Sequence, residues 1–218
     1  MELRPLLCRL LCLGLLAVGG SVRAEGAGAG AASDDAAAEA KARDYFTDLE
    51  VIDQHGNPLR FYSDALKDRV VLINFIFTSC KDACPLMTQK LKQVRQLLDD
   101  SVTDDVWFVS VSIDPERDTP EAMKTFAEEQ GADDSRWLFV TGEKQNLDFI
   151  VKRLGQYTDD VESHSTLMLA GNTRTRHWTR VMPMTPPPGV AAQLTVLAGE
   201  DPAGTVPDGA SSSGAKPD

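Results

Sequence analysis

The chain has 218 residues, a formal net charge of −11 at pH 7 and an aromatic content of 6%. That length is enough for one domain with its own core and two tails. The acidic balance argues against nucleic acid, and against an anionic membrane surface, as the binding partner. Of the four cysteines, Cys8 and Cys12 lie close to the N-terminus, which leaves Cys80 and Cys84 for the domain.

The N-terminus has the pattern of an export signal. Arg4 and Arg9 make a positively charged start, and residues 10–20 form an apolar stretch too short to cross a bilayer. Residues 22–24 match a small-x-Ala cleavage site, so we expect a signal peptide over residues 1–24 and a periplasmic protein. The alternative is an uncleaved signal that anchors the protein in the membrane, facing the periplasm.

Two tails are predicted around a single domain. Residues 25–43 are rich in Ala and Gly, which predicts a flexible linker. Residues 200–218 are rich in Pro, Gly, Ser and Asp, which predicts a disordered tail. The domain between them, residues 44–199, begins with a predicted hairpin over residues 45–62, and His55 lies in its exposed turn.

The chain is organised around residues 70–77, an apolar run whose single polar member is Asn74. Such a run predicts a strand buried on both faces. Cys80 and Cys84 follow directly, where this strand ends and a predicted helix over residues 85–98 begins. Ligands bind at this position in open α/β sheets, and a helix N-terminus favours the thiolate form of cysteine.

The spacing of the two cysteines is compatible with more than one chemistry. Cys80 and Cys84 are four residues apart, which on a helix places their Cβ atoms about 5–6 Å from each other. A disulfide would need a loosened first turn, which Pro85 allows. Two thiolates on one face can instead bind one soft metal ion. The plainest alternative is a pair of small core residues or a structural disulfide.

The remaining predicted elements alternate between strands and helices. They are a strand over 106–113, a helix over 121–130, a strand over 137–140, a helix over 144–154, a strand pair over 165–169 and 177–182, and a short helix over 190–197. Asp118 and Glu121 predict a capping box at the start of the helix over 121–130. This order predicts an α/β fold, a thioredoxin-like mixed sheet flanked by helices, with an N-terminal hairpin.

A third candidate ligand is His164, which precedes one of the late strands. A lone histidine at a strand start is more often a plain hydrogen-bonding residue than a ligand. In a thioredoxin-like fold, however, this loop faces the turn that would carry Cys80 and Cys84. An imidazole would then lie near two thiols.

Three motifs resemble those of the SCO/SenC family of copper-binding proteins. They are the Cys-x-x-x-Cys-Pro motif from Cys80, the Asp-Pro-Glu-Arg-Asp-Thr-Pro run at residues 114–120, and the His-Ser pair at His164. Their order and separations are similar to the family's, and the resemblance covers residues 45–181. It implies that Cys80, Cys84 and His164 bind copper. It also implies delivery of copper to the copper site of cytochrome c oxidase, or preparation of that site's thiols.

The donor chemistry agrees with this resemblance. Thiolates are soft ligands that suit Cu(I), whereas imidazole also suits Cu(II), so the set can hold either oxidation state. Three ligands leave room for a partner's ligand, while a sealed tetrahedral site would suit structural zinc. We therefore expect a metallochaperone rather than an enzyme. The implied partners are the copper-site subunit of cytochrome c oxidase or another cuproprotein, with a further copper chaperone or a thiol reductase.

The sequence departs from the family pattern beside the histidine. Many members carry Val-Asp directly before it, where this chain has Glu162 and Ser163. If that acid orients the imidazole, Glu162 or Asp160 must substitute for it. Asp114 is either a supporting acid near the cysteines or a turn residue.

Other functions remain open from the sequence. Cys80 and Cys84 could act as the redox-active pair of a periplasmic thiol-disulfide oxidoreductase, a role compatible with metal uptake because only the reduced pair takes up metal. A peroxidase rests on a loose similarity of the turn before Cys80 to the Thr-x-x-Cys of peroxiredoxins. Met182 and Met184 could donate thioethers to Cu(I), or be ordinary loop methionines beside a proline run.

Overall fold

The computed structural model describes residues 28–200. The predicted signal peptide over residues 1–24, and all but the first residue of the predicted tail, lie outside the described residues. The chain divides into two units, Met1–Ala37 and Ala38–Asp218, and every described strand belongs to the second. None of the helices within residues 28–200 is long and apolar enough to cross a membrane.

Six helices and seven strands make up the described part of the chain. In order they are α1 (Gly28–Phe46), β1 (Glu50–Ile52), β2 (Pro58–Arg60), β3 (Val70–Ile76), α2 (Ala83–Gln96), α3 (Asp100–Thr103), β4 (Val106–Ser112), α4 (Pro120–Glu129), β5 (Trp137–Val140), α5 (Lys144–Arg153), β6 (Met168–Asn172), β7 (His177–Val181) and α6 (Pro187–Ala198). A π-helical turn, Phe61–Leu66, follows β2, and a 3₁₀ turn, Val161–Ser163, precedes β6.

The main sheet has the strand order β5-β4-β3-β6-β7. Strands β3, β4 and β5 run parallel to each other, whereas β6 is antiparallel to both β3 and β7. Strands β1 and β2 form the predicted N-terminal hairpin as a separate antiparallel pair. The fold is therefore the predicted one, a thioredoxin-like mixed sheet flanked by helices.

Strand β3 is the centre of the sheet, and all seven of its residues are buried. Its side chains alternate between two core clusters, with Leu72 packed in one and Ile73 in the other. The first cluster includes apolar side chains of α2, α4 and α6, and the second includes those of α5. Burying an aliphatic side chain of this size stabilises the fold by roughly 1.5–3 kcal/mol, which fixes β3 as a rigid platform.

The two ends of the described chain are more helical than the sequence predicts. Helix α1 covers most of the predicted linker, in keeping with the alanines that fill that segment, since Ala has the highest helix propensity. Helix α6 begins at Pro187, three residues before its predicted start. Proline is well suited to the first turn, because the amide hydrogen that it lacks has no partner there.

Strand β6 lies three residues further along the chain than predicted. Gly171, which follows the predicted strand over 165–169, is inside β6, opposite Trp178 of β7. A Cβ atom at Gly171 would come within 2.3 Å of the Trp178 ring. Glycine is therefore required by the indole that lies across it, and not by a turn.

Candidate metal centre

The predicted site residues lie at one edge of the main sheet. Strands β3 and β4 are parallel, so their carboxyl ends share an edge, and β6 starts at this edge because it is antiparallel to β3. The cysteine loop, residues 78–84, follows β3. The histidine loop, residues 160–167, precedes β6. The two loops are therefore neighbours by topology.

The cysteine loop is held to β4 by Asp118, whose side chain is fully buried. The Thr78 amide and hydroxyl donate to Asp118 Oδ1 at 2.8 and 2.6 Å, and the Ser112 hydroxyl donates to Oδ2 at 2.6 Å. Burial raises the pKa of this carboxyl, and the three hydrogen bonds oppose that shift. The predicted capping role of Asp118 is wrong, because Thr119 caps α4 by accepting from the Ala122 amide.

Asp118 is the residue that sequence reasoning missed. Its position in the sequence could have indicated this role. Asp118 ends a tight turn that starts at Asp114, and such a turn brings the chain back toward the ends of the strands. The Asp118 amide does donate to the Asp114 carbonyl at 2.9 Å. The Asp114 carboxylate itself pairs with Arg117 at 3.0 Å, a local contact typical of a turn residue.

The two cysteines contact each other across the start of α2. Both are free thiols, Cys80 partly exposed and Cys84 buried. The Cys84 amide donates to Cys80 Sγ at 3.4 Å, while the N-cap residue Asp82 makes no side-chain capping bond. The Cys80 sulfur thus accepts one of the free amide hydrogens at this helix end, and the helix begins at Ala83 rather than at the predicted Pro85.

Burial raises the pKa of the Cys84 thiol to about 12. The neighbouring Cys80 and the Asp118 carboxylate add to the shift, and a backbone hydrogen bond with Phe77 opposes it. Cys84 is therefore a neutral thiol at physiological pH. Any metal ion that binds its sulfur must displace a proton.

His164 points one of its ring nitrogens into the protein without a hydrogen-bond partner. Its Nδ1 lies 2.8 Å from the Val161 carbonyl oxygen, which can only accept, so Nδ1 carries a hydrogen and donates it. Its Nε2 is buried and has no hydrogen-bond partner. A buried lone pair left unpaired in this way costs free energy unless a ligand occupies it.

Phe77 is the residue that links all three candidate ligands. Its carbonyl accepts from the Cys80 amide at 3.2 Å, its backbone hydrogen-bonds Cys84, and its ring packs edge to face against His164 with centroids 5.4 Å apart. Within residues 28–200, however, no three His, Cys, Asp or Glu side chains are grouped closely enough to hold a metal ion. The structure brings the two cysteines together and seats His164 nearby, without closing the three-ligand set.

Within residues 28–200, neither Glu162 nor Asp160 is hydrogen-bonded to His164. Asp160 accepts from the Ser163 hydroxyl at 2.6 Å and from the Glu162 amide at 3.1 Å. These two bonds lower the pKa of Asp160. The imidazole is oriented instead by the Val161 carbonyl, because Asp160 is already committed to holding the 3₁₀ turn.

The other two histidines and the two loop methionines lie on the surface, His55 in the exposed turn where it was expected. His55 is exposed in its turn with Asp133 3.4 Å away, and His177 is exposed beside Glu200. Met182 and Met184 are exposed in the loop after β7.

Comparison with known proteins places this arrangement in a family. The family model described as SCO1/SenC matches residues 37–199, which is most of the chain. The chain belongs to the SCO1/SenC family. An SCO2-like protein of Rickettsia conorii is 37% identical over 100 residues, and the match covers 46% of each chain. The matched region is thus slightly less than half the length of that relative.

Two solved structures of Sco proteins share the fold. One is Bradyrhizobium japonicum ScoI with copper bound, with a TM-score of 0.57 and 24% identity over 68% of this chain and 96% of that one. The other is BsSco, described as a member of the Sco family of cytochrome c oxidase assembly proteins and as having a disulfide switch. Its TM-score is 0.59, with 24% identity over 70% of this chain and 92% of that one. At these identities the likeness is one of fold.

Proposed function

We propose that this SCO1/SenC protein is an exported copper chaperone that takes part in assembly of the copper site of cytochrome c oxidase. In this proposal Cys80, Cys84 and His164 hold the copper as it is carried. The partner is the copper-site subunit of the oxidase or another cuproprotein. A further copper chaperone or a thiol reductase would supply copper or electrons before delivery.

The unpaired Nε2 of His164 is the observation that carries the proposal. The bond from Nδ1 to the Val161 carbonyl leaves Nε2 as the lone-pair nitrogen, which is the form that binds metals. The ring is seated on Phe77, whose backbone contacts both cysteines. A movement of the histidine loop toward the cysteine loop would complete a set of two sulfurs and one nitrogen.

The chemistry of this set suits a carrier. Two thiolates and one imidazole accept copper in either oxidation state, and a three-ligand site leaves a position for the acceptor's own ligand. Loading requires loss of the Cys84 proton, so copper affinity should rise with pH. Family membership and the copper-bound ScoI structure of the same fold support copper as the cargo.

The test is an anaerobic copper titration of the reduced, full-length protein with Cys8 and Cys12 replaced by serine, followed by absorption and electron paramagnetic resonance. We expect one equivalent of copper and a thiolate-to-Cu(II) absorption band that is lost in Cys80→Ala and Cys84→Ala. His164→Ala should weaken binding and change the resonance spectrum. His55→Ala and His177→Ala are matched controls, because both histidines are exposed and far from the cysteines in sequence.

Unchanged copper affinity and spectra in His164→Ala would rule out the three-ligand set. Failure of the wild-type protein to bind stoichiometric copper would overturn the chaperone proposal as a whole.

Thiol-disulfide exchange is the second candidate, and the unequal burial of the two cysteines favours it. Cys80 is partly exposed and can attack a disulfide, while the buried Cys84 can resolve the mixed disulfide. The disulfide switch named for BsSco is consistent with such a pair. Turnover of disulfide substrates by the metal-free reduced protein, lost in Cys80→Ser, would support this role over copper transport.

A further inference from the structure

Two methionines are exposed in the loop after β7. Met182 and Met184 are 60% and 90% exposed, whereas Met123 and Met168 are fully buried and Met87 packs partly against the core. A single exposed methionine is ordinary on a protein surface. Two that flank one proline present two thioether sulfurs to solvent from the same short loop.

The loop that carries them is a fixed turn. The Thr185 amide donates to the Met182 carbonyl at 3.0 Å, which closes a four-residue turn with Pro183 and Met184 at its centre. The ammonium group of Lys90, on α2, donates to the Pro183 carbonyl at 2.5 Å. The methionine loop, residues 182–185, is therefore fastened to the helix that begins at the cysteine pair.

Topology places the methionine loop at the edge of the sheet where the cysteine loop lies. Val181, the last residue of β7, pairs directly with Met168, the first residue of β6. Strand β6 lies between β3 and β7 and is antiparallel to both, so β3 and β7 run in the same direction. Their carboxyl ends therefore lie at the same edge of the sheet, where β6 starts. The methionine, histidine and cysteine loops thus share one edge.

We propose that Met182 and Met184 form an entry site that captures Cu(I) from solution or from a donor and passes it to Cys80 and Cys84. This inference rests on the proposed copper-carrying function and adds the path by which the metal arrives. Thioethers are neutral, soft ligands that select Cu(I) over Cu(II). They bind it more weakly than thiolates do, so the ion moves down a gradient of affinity.

The transfer involves no change of oxidation state. Cu(I) leaves two sulfurs that stay neutral throughout and binds two sulfurs that each release a proton to water. No oxidant or reductant is consumed. The exposure of Met184 allows a donor to reach the entry site, while Cys84 stays protected from solvent.

Methyl NMR of the full-length protein, labelled with ¹³C at the methionine methyl groups, tests this proposal residue by residue. The Cys80→Ser/Cys84→Ser variant, in which Cys8 and Cys12 are also replaced by serine so that no thiol competes for the metal, is titrated with Cu(I), supplied anaerobically as its acetonitrile complex. We expect the Met182 and Met184 methyl signals to shift at up to one equivalent, while those of Met87, Met123 and Met168 stay in place. Met182→Leu and Met184→Leu assign the two signals and should each weaken the shift of the other.

Because this variant lacks Cys80 and Cys84, the entry site is tested even if the wild-type protein does not hold copper at those two cysteines. Unmoved Met182 and Met184 signals at one equivalent of Cu(I) would overturn the proposal, as would a shift at Met87 alone. A second measurement uses protein that retains Cys80 and Cys84. Copper uptake from the same complex should be slower in its Met182→Leu/Met184→Leu variant than in its Met87→Leu variant, which keeps the entry site intact. Equal uptake rates would rule out a role in loading.

Discussion

The two loops of the proposed copper site are held in different ways. The cysteine loop is tied to β4 by three hydrogen bonds to a single buried carboxylate, Asp118, across up to 40 residues of sequence. The hydrogen bonds within the histidine loop join residues two or three apart, such as Ser163 to Asp160 and His164 to Val161. Its contact with the rest of the site is the packing of His164 on Phe77.

This difference predicts which of the two loops would move if copper binds at the proposed site. Long-range bonds to a buried acid fix the cysteine loop to the sheet, so displacing it disturbs the core. Local bonds travel with the histidine loop when it shifts as a unit. In the proposed three-ligand site, His164 would therefore be the ligand that moves, toward a pair of sulfurs that stays fixed.

The largest effect is expected in the rates at which the two cysteines are chemically modified, which test whether the cysteine loop shields Cys84. A thiol with a pKa of about 12 holds roughly a thousandfold less thiolate at pH 8 than one with the ordinary value of 9.0, and the thiolate is the reactive form. Iodoacetamide should therefore modify the partly exposed Cys80 and leave Cys84 unmodified in the folded protein. Peptide mass spectrometry after timed quenching measures the two rates separately.

Cys80→Ser is the control, since Cys84 should remain protected by burial when its neighbour is gone. Equal modification of the two cysteines in the folded wild type would show that the cysteine loop opens to solvent.

The second prediction concerns a variant that removes the hydrogen bonds between the cysteine loop and β4. Asp118→Ala leaves the Thr78 amide, the Thr78 hydroxyl and the Ser112 hydroxyl without their acceptor, which should cost about 2–4 kcal/mol in the free energy of unfolding. Copper affinity should fall with it, because Cys80 and Cys84 lose their fixed position. Urea denaturation and the copper titration measure the two effects.

Asp118→Asn is the matched control, because the amide keeps an acceptor for Thr78 and removes the buried charge. The pKa of Asp118 is raised above its ordinary 3.8 in the folded protein, so the folded state binds more protons than the unfolded state above that pH. Wild-type stability should therefore fall, relative to that of Asp118→Asn, as pH rises from 3.8 through the raised pKa. A parallel pH dependence in the two proteins would contradict this assignment.

The cysteine loop was also the part of the site that the sequence could predict. The apolar run and the two cysteines are adjacent in the chain, so the local pattern predicts both the strand and the point where it ends. The predicted end of β3 and start of α2 are each within two residues of the observed ones. The supports came from elsewhere in the chain. The bonds of Asp118 to Thr78 join residues 40 apart, and local pattern assigned that acid to a helix cap. The orientation of His164 could not be predicted from the sequence, because the group that orients it is a backbone carbonyl, which every residue has.

The third prediction removes the contact between the two loops. Phe77→Leu takes away the ring against which His164 packs and should cost about 1–1.5 kcal/mol of stability, as a near volume-conserving core change does. Phe75→Leu is the control, because Phe75 is equally buried but packs in the other core cluster. Both variants should lose similar stability, whereas only Phe77→Leu should weaken the histidine contribution to copper binding. Equal copper affinities would mean that Phe77 does not position His164.

The smallest effect is expected for Asp160→Asn, which loosens the histidine loop from within. The bonds from Ser163 and Glu162 lower the pKa of Asp160 below its ordinary 3.8, so their contribution is present above that pH and is lost as pH falls through the lowered value. At neutral pH the variant should unfold at the same urea concentration as the wild type, but the amides of the histidine loop should exchange hydrogen faster. Asp159→Asn, which changes a neighbouring acid that interacts with Tyr157, should leave that exchange unaltered. A cooperative loss of stability in Asp160→Asn would mean that the histidine loop is as firmly joined to the core as the cysteine loop, and the movement inferred for His164 would then require unfolding of part of the core.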